Sequence, residues 1–224
     1  MPRSIARQRT PKNRIAGRSL AARYGLANLQ APYSFPPGSY SLVIPKSGYW
    51  LFVGWSAGSK LGATYTGCSG AYGEITKALL AGQIISISVG PEDSTGALAN
   101  TVLTFPDGAV ATLTNASADT PGAATGQWDY SLAGSLGGLT STSANGSAGS
   151  GTGGGVGGVG SGGIAGGAGA PGRLPFRGGR GGGFRIGLGN FTRAMSPGGG
   201  GCDSTTNDAD VAGVGAVIAF LVRE

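Results

Sequence analysis

Gln83-Ile84-Ile85-Ser86-Ile87-Ser88-Val89-Gly90 alternates apolar and polar side chains with a period of two. Successive strand side chains point to opposite faces, so Ile85, Ile87 and Val89 share one face and mark a half-buried β-strand. Upstream, Glu74-Ile75-Thr76-Lys77-Ala78-Leu79-Leu80 alternates too, and Ala81-Gly82 between the two runs supplies a turn. Further upstream lie Gly48-Tyr49-Trp50-Leu51-Phe52-Val53-Gly54-Trp55, rich in aromatic and β-branched residues, and the short strand Tyr40–Pro45 after the turn Pro36-Pro37-Gly38. Downstream, Thr101–Phe105 and Ala109–Leu113 flank Pro106-Asp107-Gly108, a hairpin with its turn chemistry in place. Val214–Val222 closes the chain as a buried strand. These runs predict an all-β, small sandwich-like body of six or seven short strands.

Composition narrows the chemistry. The chain has 224 residues, of which 47 are Gly, and it has two Cys and no His. The Gly share is roughly three times the usual ~7%. Absence of His removes Ser-His-Asp and Cys-His nucleophilic pairs and every His metal site. Cys68 and Cys202 sit in separate Gly-rich turns and pair only if those turns are neighbours; two cysteines make neither a closed zinc site nor a disulfide framework. Matches to G-x-G-x-x-G follow from Gly abundance, and none joins a strand to a helix. Asp203, Asp208 and Asp210 lack the turn Gly and closing Glu of an EF-hand. Nothing marks Asp119, Asp129, Glu92 or Asp93 as a catalytic carboxylate pair. The sequence therefore predicts no enzyme, no cofactor and no metal.

The net charge of +6 is concentrated at one end. Residues 1–31 carry Arg3, Arg7, Arg9, Lys12, Arg14, Arg18 and Arg23 without a single acid, and the rest of the chain is close to neutral. With few large apolar groups, this segment reads as an extended basic arm that orders on a partner. Arg suits nucleic-acid phosphates, but the arm offers only Tyr24 for stacking on bases, which favours a protein partner over nucleic acid. The longest apolar run, Val211–Val222, is too short for the ~20 residues of a membrane span.

Residues 134–201 interrupt the β body of residues 32–224. Within them Gly151, Gly154, Gly157, Gly160, Gly163, Gly166, Gly169 and Gly172 keep a strict period of three. Collagen wants Pro in most triplets, and this run has only Pro171. A polyglycine II helix also has three residues per turn, and its bare Gly edge lets neighbouring helices exchange backbone hydrogen bonds. The insertion is expected to pack as such helices, since a flexible linker has no need to return to a buried strand. Phe176-Arg177-Gly178-Gly179-Arg180 through Phe184-Arg185 interleaves Arg and Phe with Gly. That composition occurs in RNA-binding segments, but a single copy inside a domain favours a displayed contact loop.

In order and composition the chain resembles the glycine-rich domain of bacteriophage tail-fibre and adhesin proteins. The resemblance runs from Phe35-Pro36-Pro37-Gly38-Ser39-Tyr40 through Phe52-Val53-Gly54-Trp55-Ser56-Ala57-Gly58, then Cys68-Ser69-Gly70-Ala71-Tyr72-Gly73-Glu74 to Val89-Gly90. It continues through Thr104-Phe105-Pro106-Asp107-Gly108, the Gly repeats, Ser196-Pro197-Gly198 and the closing apolar strand, so it covers about residues 33–224. The family's Gly tracts are usually denser than residues 114–150. The resemblance implies a β base, packed polyglycine helices and tip loops that contact receptors on the bacterial surface. Carried over, the tips fall around residues 58–72, 114–133, 140–150, 173–194 and 202–210. The contact candidates there are Tyr65, Tyr72, Trp128, Tyr130, Phe176, Arg177, Arg180, Phe184 and Arg185. In this setting the basic arm anchors the protein to a capsid or tail subunit, and the expected assembly is a homotrimeric fibre at the virion surface. A capsid decoration or cement protein is the alternative, followed by a nucleic-acid-binding protein.

Overall fold

The computed structural model describes residues 33–59, 68–91, 100–117, 120–136, 183–184, 191–192 and 213–224. The arm 1–31, almost all of the glycine-rich insertion and its expected polyglycine packing lie outside these residues. Among the described residues the chain is all-β, built on two five-stranded antiparallel sheets and a separate two-stranded hairpin. No helix among them is long and apolar enough to cross a membrane.

The strands are β1 (Tyr33–Phe35), β2 (Gly38–Val43), β3 (Gly48–Trp55), β4 (Tyr72–Leu79), β5 (Ile84–Val89), β6 (Asn100–Thr104), β7 (Val110–Thr114), β8 (Ala124–Gly126), β9 (Tyr130–Leu132), β10 (Gly183–Phe184), β11 (Phe191–Thr192) and β12 (Ala216–Arg223). Sheet A has the order β1-β12-β3-β4-β9, and sheet B the order β2-β5-β6-β7-β8. The C-terminal strand is thus not an edge. It lies between β1 and β3, with Ile218 opposite Val53 and Phe220 opposite Leu51.

The alternations of the sequence become the faces of a sandwich. Ile85, Ile87 and Val89 are buried, as expected, together with Leu42, Leu103 and Ala111 of sheet B. They meet Trp50, Phe52, Ile75, Leu79, Val217, Ala219 and Leu221 of sheet A in one continuous core. Phe52 and Phe105 meet edge-on with ring centroids 5.3 Å apart, an arrangement that aromatic quadrupoles favour. Each large side chain buried here contributes about 2 kcal/mol of apolar transfer. Gly82 and Gly108 hold φ of 85° and 79° in the β4–β5 and β6–β7 turns, which side chains with a Cβ rarely adopt.

Five short strands went unmarked in the sequence, among them the two-residue β10 and β11. β1, β8 and β9 have three residues each, too few for a period of two to register. Two of them, β8 and β9, lie within the region 114–133 expected as a tip. β8 extends sheet B beside β7, β9 extends sheet A beside β4, and the intervening chain carries the backbone across the sandwich edge.

Candidate functional site

Sheet A buries apolar side chains on both faces. Leu51, Val53 and Trp55 point away from the core, and the register places Ala216, Ile218 and Phe220 on one flank and Tyr72 with Leu132 on the other. Val53, Trp55, Tyr72 and Phe220 are nevertheless buried and form a second cluster with these neighbours and Tyr130. The Trp55 and Tyr72 ring centroids are 5.4 Å apart, and those of Tyr72 and Tyr130 6.4 Å. The structure therefore brings together two of the residues expected at receptor tips, Tyr72 and Tyr130. Tyr72 is 0% exposed, and its hydroxyl donates a hydrogen bond to the Glu74 carboxylate. With no exposed surface, its ring packs this face of the sheet.

Trp128 lies on the opposite side of sheet A. Its Nε1 donates to the Thr112 carbonyl at 3.2 Å, and its ring fills the space left by two strand glycines, Gly54 and Gly73, which face each other across β3 and β4. A Cβ on Gly73 would come within 2.6 Å of that ring. Trp128, half-buried against the core, thus seals the edge where the chain passes from β8 to β9. Isolated Gly within a strand signals such a close approach. Beside it, the Lys77 ammonium reaches from β4 to Asp107 in the β6–β7 turn at 2.9 Å, clipping the sheets together. The hydrogen bond from Lys77 and that from the Ala109 N–H hold the Asp107 carboxyl below its ordinary range.

At the end of the sandwich beyond Trp55, short extended segments of small residues run side by side without forming a sheet. Ser56 N donates to Ala71 O at 3.0 Å, Ser59 N to Cys68 O at 2.9 Å, Gly122 N to Ser69 O at 2.9 Å, and Gly134 N to Gly122 O at 2.8 Å. Gly58 N reaches Gly213 O at 2.9 Å. Side chains would block this packing: a Cβ on Gly70 or Gly134 would strike the backbone oxygen of Ser56 or Ser69, and one on Gly122 would sit 2.6 Å from Ala71 N. Cys68 is buried in this bundle, where its N–H meets Ser59 Oγ at 2.9 Å. Residues 68–72, expected as part of a tip, are accordingly part of the packed body.

The outer face of sheet B has a different chemistry. Cross-strand partners there are Ser39 and Ser88, Ser41 and Ser86, Ser86 and Thr104, and Val102 and Thr112. No strand of the sheet carries a charged residue. Val43, Ile84 and Val110 are 56%, 55% and 42% exposed. On this face lies a shallow hollow of about 320 Å³ whose lining includes Ser39, Ser41, Ser86, Ser88, Val102 and Thr104. This surface offers hydroxyl donors and acceptors among β-branched side chains. Reading for aromatics and Arg alone missed it, although its residues are the polar half of the alternation that defines the strands.

Tyr65, Phe176, Arg177, Arg180, Arg185 and the arm residues Arg3, Arg7, Arg9, Lys12, Arg14, Arg18 and Arg23 lie outside the described residues. Phe184 is placed only through the backbone, paired in β10 with Phe191 of β11. Among the described residues no three His, Cys, Asp or Glu side chains gather as metal ligands. Their carboxylates are engaged structurally: Glu74 by Tyr72, Asp107 by Lys77, and Asp129 by the Thr76 N–H at 2.6 Å. No protein-family model matches the chain, and no curated protein aligns with it at a significant level.

Proposed function

We propose that this chain is a virion fibre or spike protein that binds the host-cell surface and is anchored to the virion by residues 1–31. The separation of charge from fold carries this reading. The basic cluster Arg3 to Arg23 precedes the first strand, and the body that follows presents an uncharged, hydroxyl-bearing face. A partner of the arm can therefore be engaged while the body stays available to a second surface. The contacts to the host are made by tip loops bearing Tyr65, Arg177, Arg180 and Arg185, and hydroxyl-rich glycans suit the Ser/Thr face of sheet B. The assembly is a homotrimer at the virion surface, and the protein performs no catalysis.

Residues 151–172 pack as polyglycine II helices in this reading. Support comes from Gly70, Gly122 and Gly134, where extended segments already approach backbone to backbone through missing side chains. Substituting Gly157 by Val should destabilise such packing and leave a linker unaffected.

The test compares the full chain with a version beginning at residue 32, measuring binding to host cells and to particles lacking the protein. Cell binding retained by the shortened chain, with particle binding lost, is the expected result. The concentration of charge in the arm also suits a capsid decoration protein. Particle binding through the arm, with no cell binding by either version, would establish that reading instead. Strongly salt-dependent binding to nucleic acid would point to the third class.

A further inference from the structure

Each five-stranded sheet ends in two edge strands, β1 and β9 in sheet A and β2 and β8 in sheet B. β1, β8 and β9 have three residues each, and edges so short resist pairing with another chain. β2 is different. Its six residues, Gly38–Val43, run in unbroken register with β5. The strand contains no charge, no Pro and no bulge, the other devices that keep an edge from pairing.

The ladder fixes which way the backbone of β2 faces. Ile44 N donates to Gln83 O at 2.8 Å, and Ile44 O accepts from Gly82 N at 2.8 Å. Backbone groups alternate in direction along an antiparallel strand, so those of Leu42, Tyr40 and Gly38 also turn toward β5. The N–H and C=O groups of Ser39, Ser41 and Val43 turn to the free edge. These three residues are exposed, Val43 by 56%, and no described residue pairs with that edge.

Two prolines select the occupant. Pro37 and Pro45 stand four residues to either side of Ser41. Both are in phase with Ser39, Ser41 and Val43 but have no N–H to give. An antiparallel copy of β2, related by a two-fold axis at Ser41, sets Ser41 opposite Ser41, Ser39 opposite Val43 and Pro37 opposite Pro45. Every outward donor of the strand then meets an outward acceptor, and the prolines close both ends of the ladder together. Moving the axis to Tyr40 or Leu42 would set Pro37 opposite Val43, or Pro45 opposite Ser39, and lose a bond at each end. On the core side, half-buried Tyr40 comes opposite Leu42 of the second copy. The nearest charge in sequence, Lys46, is already paired with Glu224. We infer that β2 is a docking edge for a second copy of this chain, paired through Ser41 into one continuous sheet. The contact is two-fold, so it links two of the homotrimers proposed above rather than building one, and it is independent of host binding.

The test is oxidative cross-linking of the full chain in a Cys202→Ser background, Cys68 being buried. Residues facing each other in a hydrogen-bonded antiparallel pair have Cα atoms about 5.5 Å apart, within disulfide reach. Ser41→Cys should therefore link two chains. Ser86→Cys is exposed on the same face but one strand inward. It would sit about 14 Å from its copy, across strands spaced ~4.8 Å apart, and should link at least severalfold more slowly. Ser39→Cys should link to Val43→Cys in a mixed sample, and neither should link to itself. Equal rates for Ser41→Cys and Ser86→Cys, or self-linking of Ser39→Cys as fast as the mixture, would overturn the pairing. Trimers in solution with Ser41→Cys silent would overturn it too, while leaving the fibre reading intact.

Discussion

The two sheets turn different chemistry away from their shared core. Sheet A presents Trp55, Tyr72, Val53 and Phe220 and keeps them from water. Sheet B presents Ser39, Ser41, Ser86, Ser88 and Thr104 and leaves Val43 and Ile84 more than half exposed. Both are five-stranded and antiparallel, so strand architecture does not set the difference; the side chains at alternate positions do. The outer face of sheet A is buried at its Trp55 end, and the outer face of sheet B is open to solvent. An aromatic in a Gly-rich context can therefore be packing rather than display, and a plain row of serines can be the surface that partners meet.

Substitutions on the two faces break or sharpen this contrast. The largest effect belongs to Trp55→Ala, which empties a buried site and should cost about 3–5 kcal/mol in urea unfolding. Its counterpart Ser86→Ala on sheet B should stay within about 0.5 kcal/mol. Equal small costs would erase the distinction between the faces. Gly73→Val comes next: its Cβ enters the space of the Trp128 ring and should cost about 1–3 kcal/mol. Paired with Trp128→Ala it should be clearly non-additive in a double-mutant cycle, since the two groups share one space.

Tyr72→Phe removes the hydroxyl that donates to buried Glu74 and should cost about 1–3 kcal/mol by thermal unfolding. The same change at exposed Tyr49 should be close to neutral. The smallest effect is the Lys77–Asp107 clip. Because the folded state holds the Asp107 carboxyl below its ordinary range, the clip contributes above the unfolded-state pKa and is lost as pH falls through the lower folded value. Asp107→Asn should therefore lower Tm slightly at neutral pH, and the difference from the parent chain should vanish in strong acid.

Much of the fold was legible because burial on one face writes a period of two into the sequence. Gly48–Trp55 matches β3 at both ends, and the Pro106-Asp107-Gly108 turn falls between β6 and β7. The number of layers was harder to read. Trp50-Leu51-Phe52-Val53 is an unbroken apolar run, the mark of a strand covered on both faces, but periodicity does not say what supplies the second cover. The packing of Tyr72 was not legible for that reason. Its neighbours are set by pairing with Trp55 and Leu132, which only the register reveals. Trp128 was legible in principle through Gly54 and Gly73, two strand glycines whose shared hollow exists only once β3 and β4 are paired.

The most direct measurement is hydroxyl-radical footprinting of the full chain, read residue by residue by mass spectrometry. Tyr49 and Tyr72 share the outer face of sheet A and the same intrinsic reactivity, so their ratio reports cover alone. The account predicts rapid oxidation of Tyr49 with Tyr72 and Trp55 protected at least severalfold. Oxidation of Tyr72 and Trp55 as fast as Tyr49 would show an open face and contradict the buried end of sheet A.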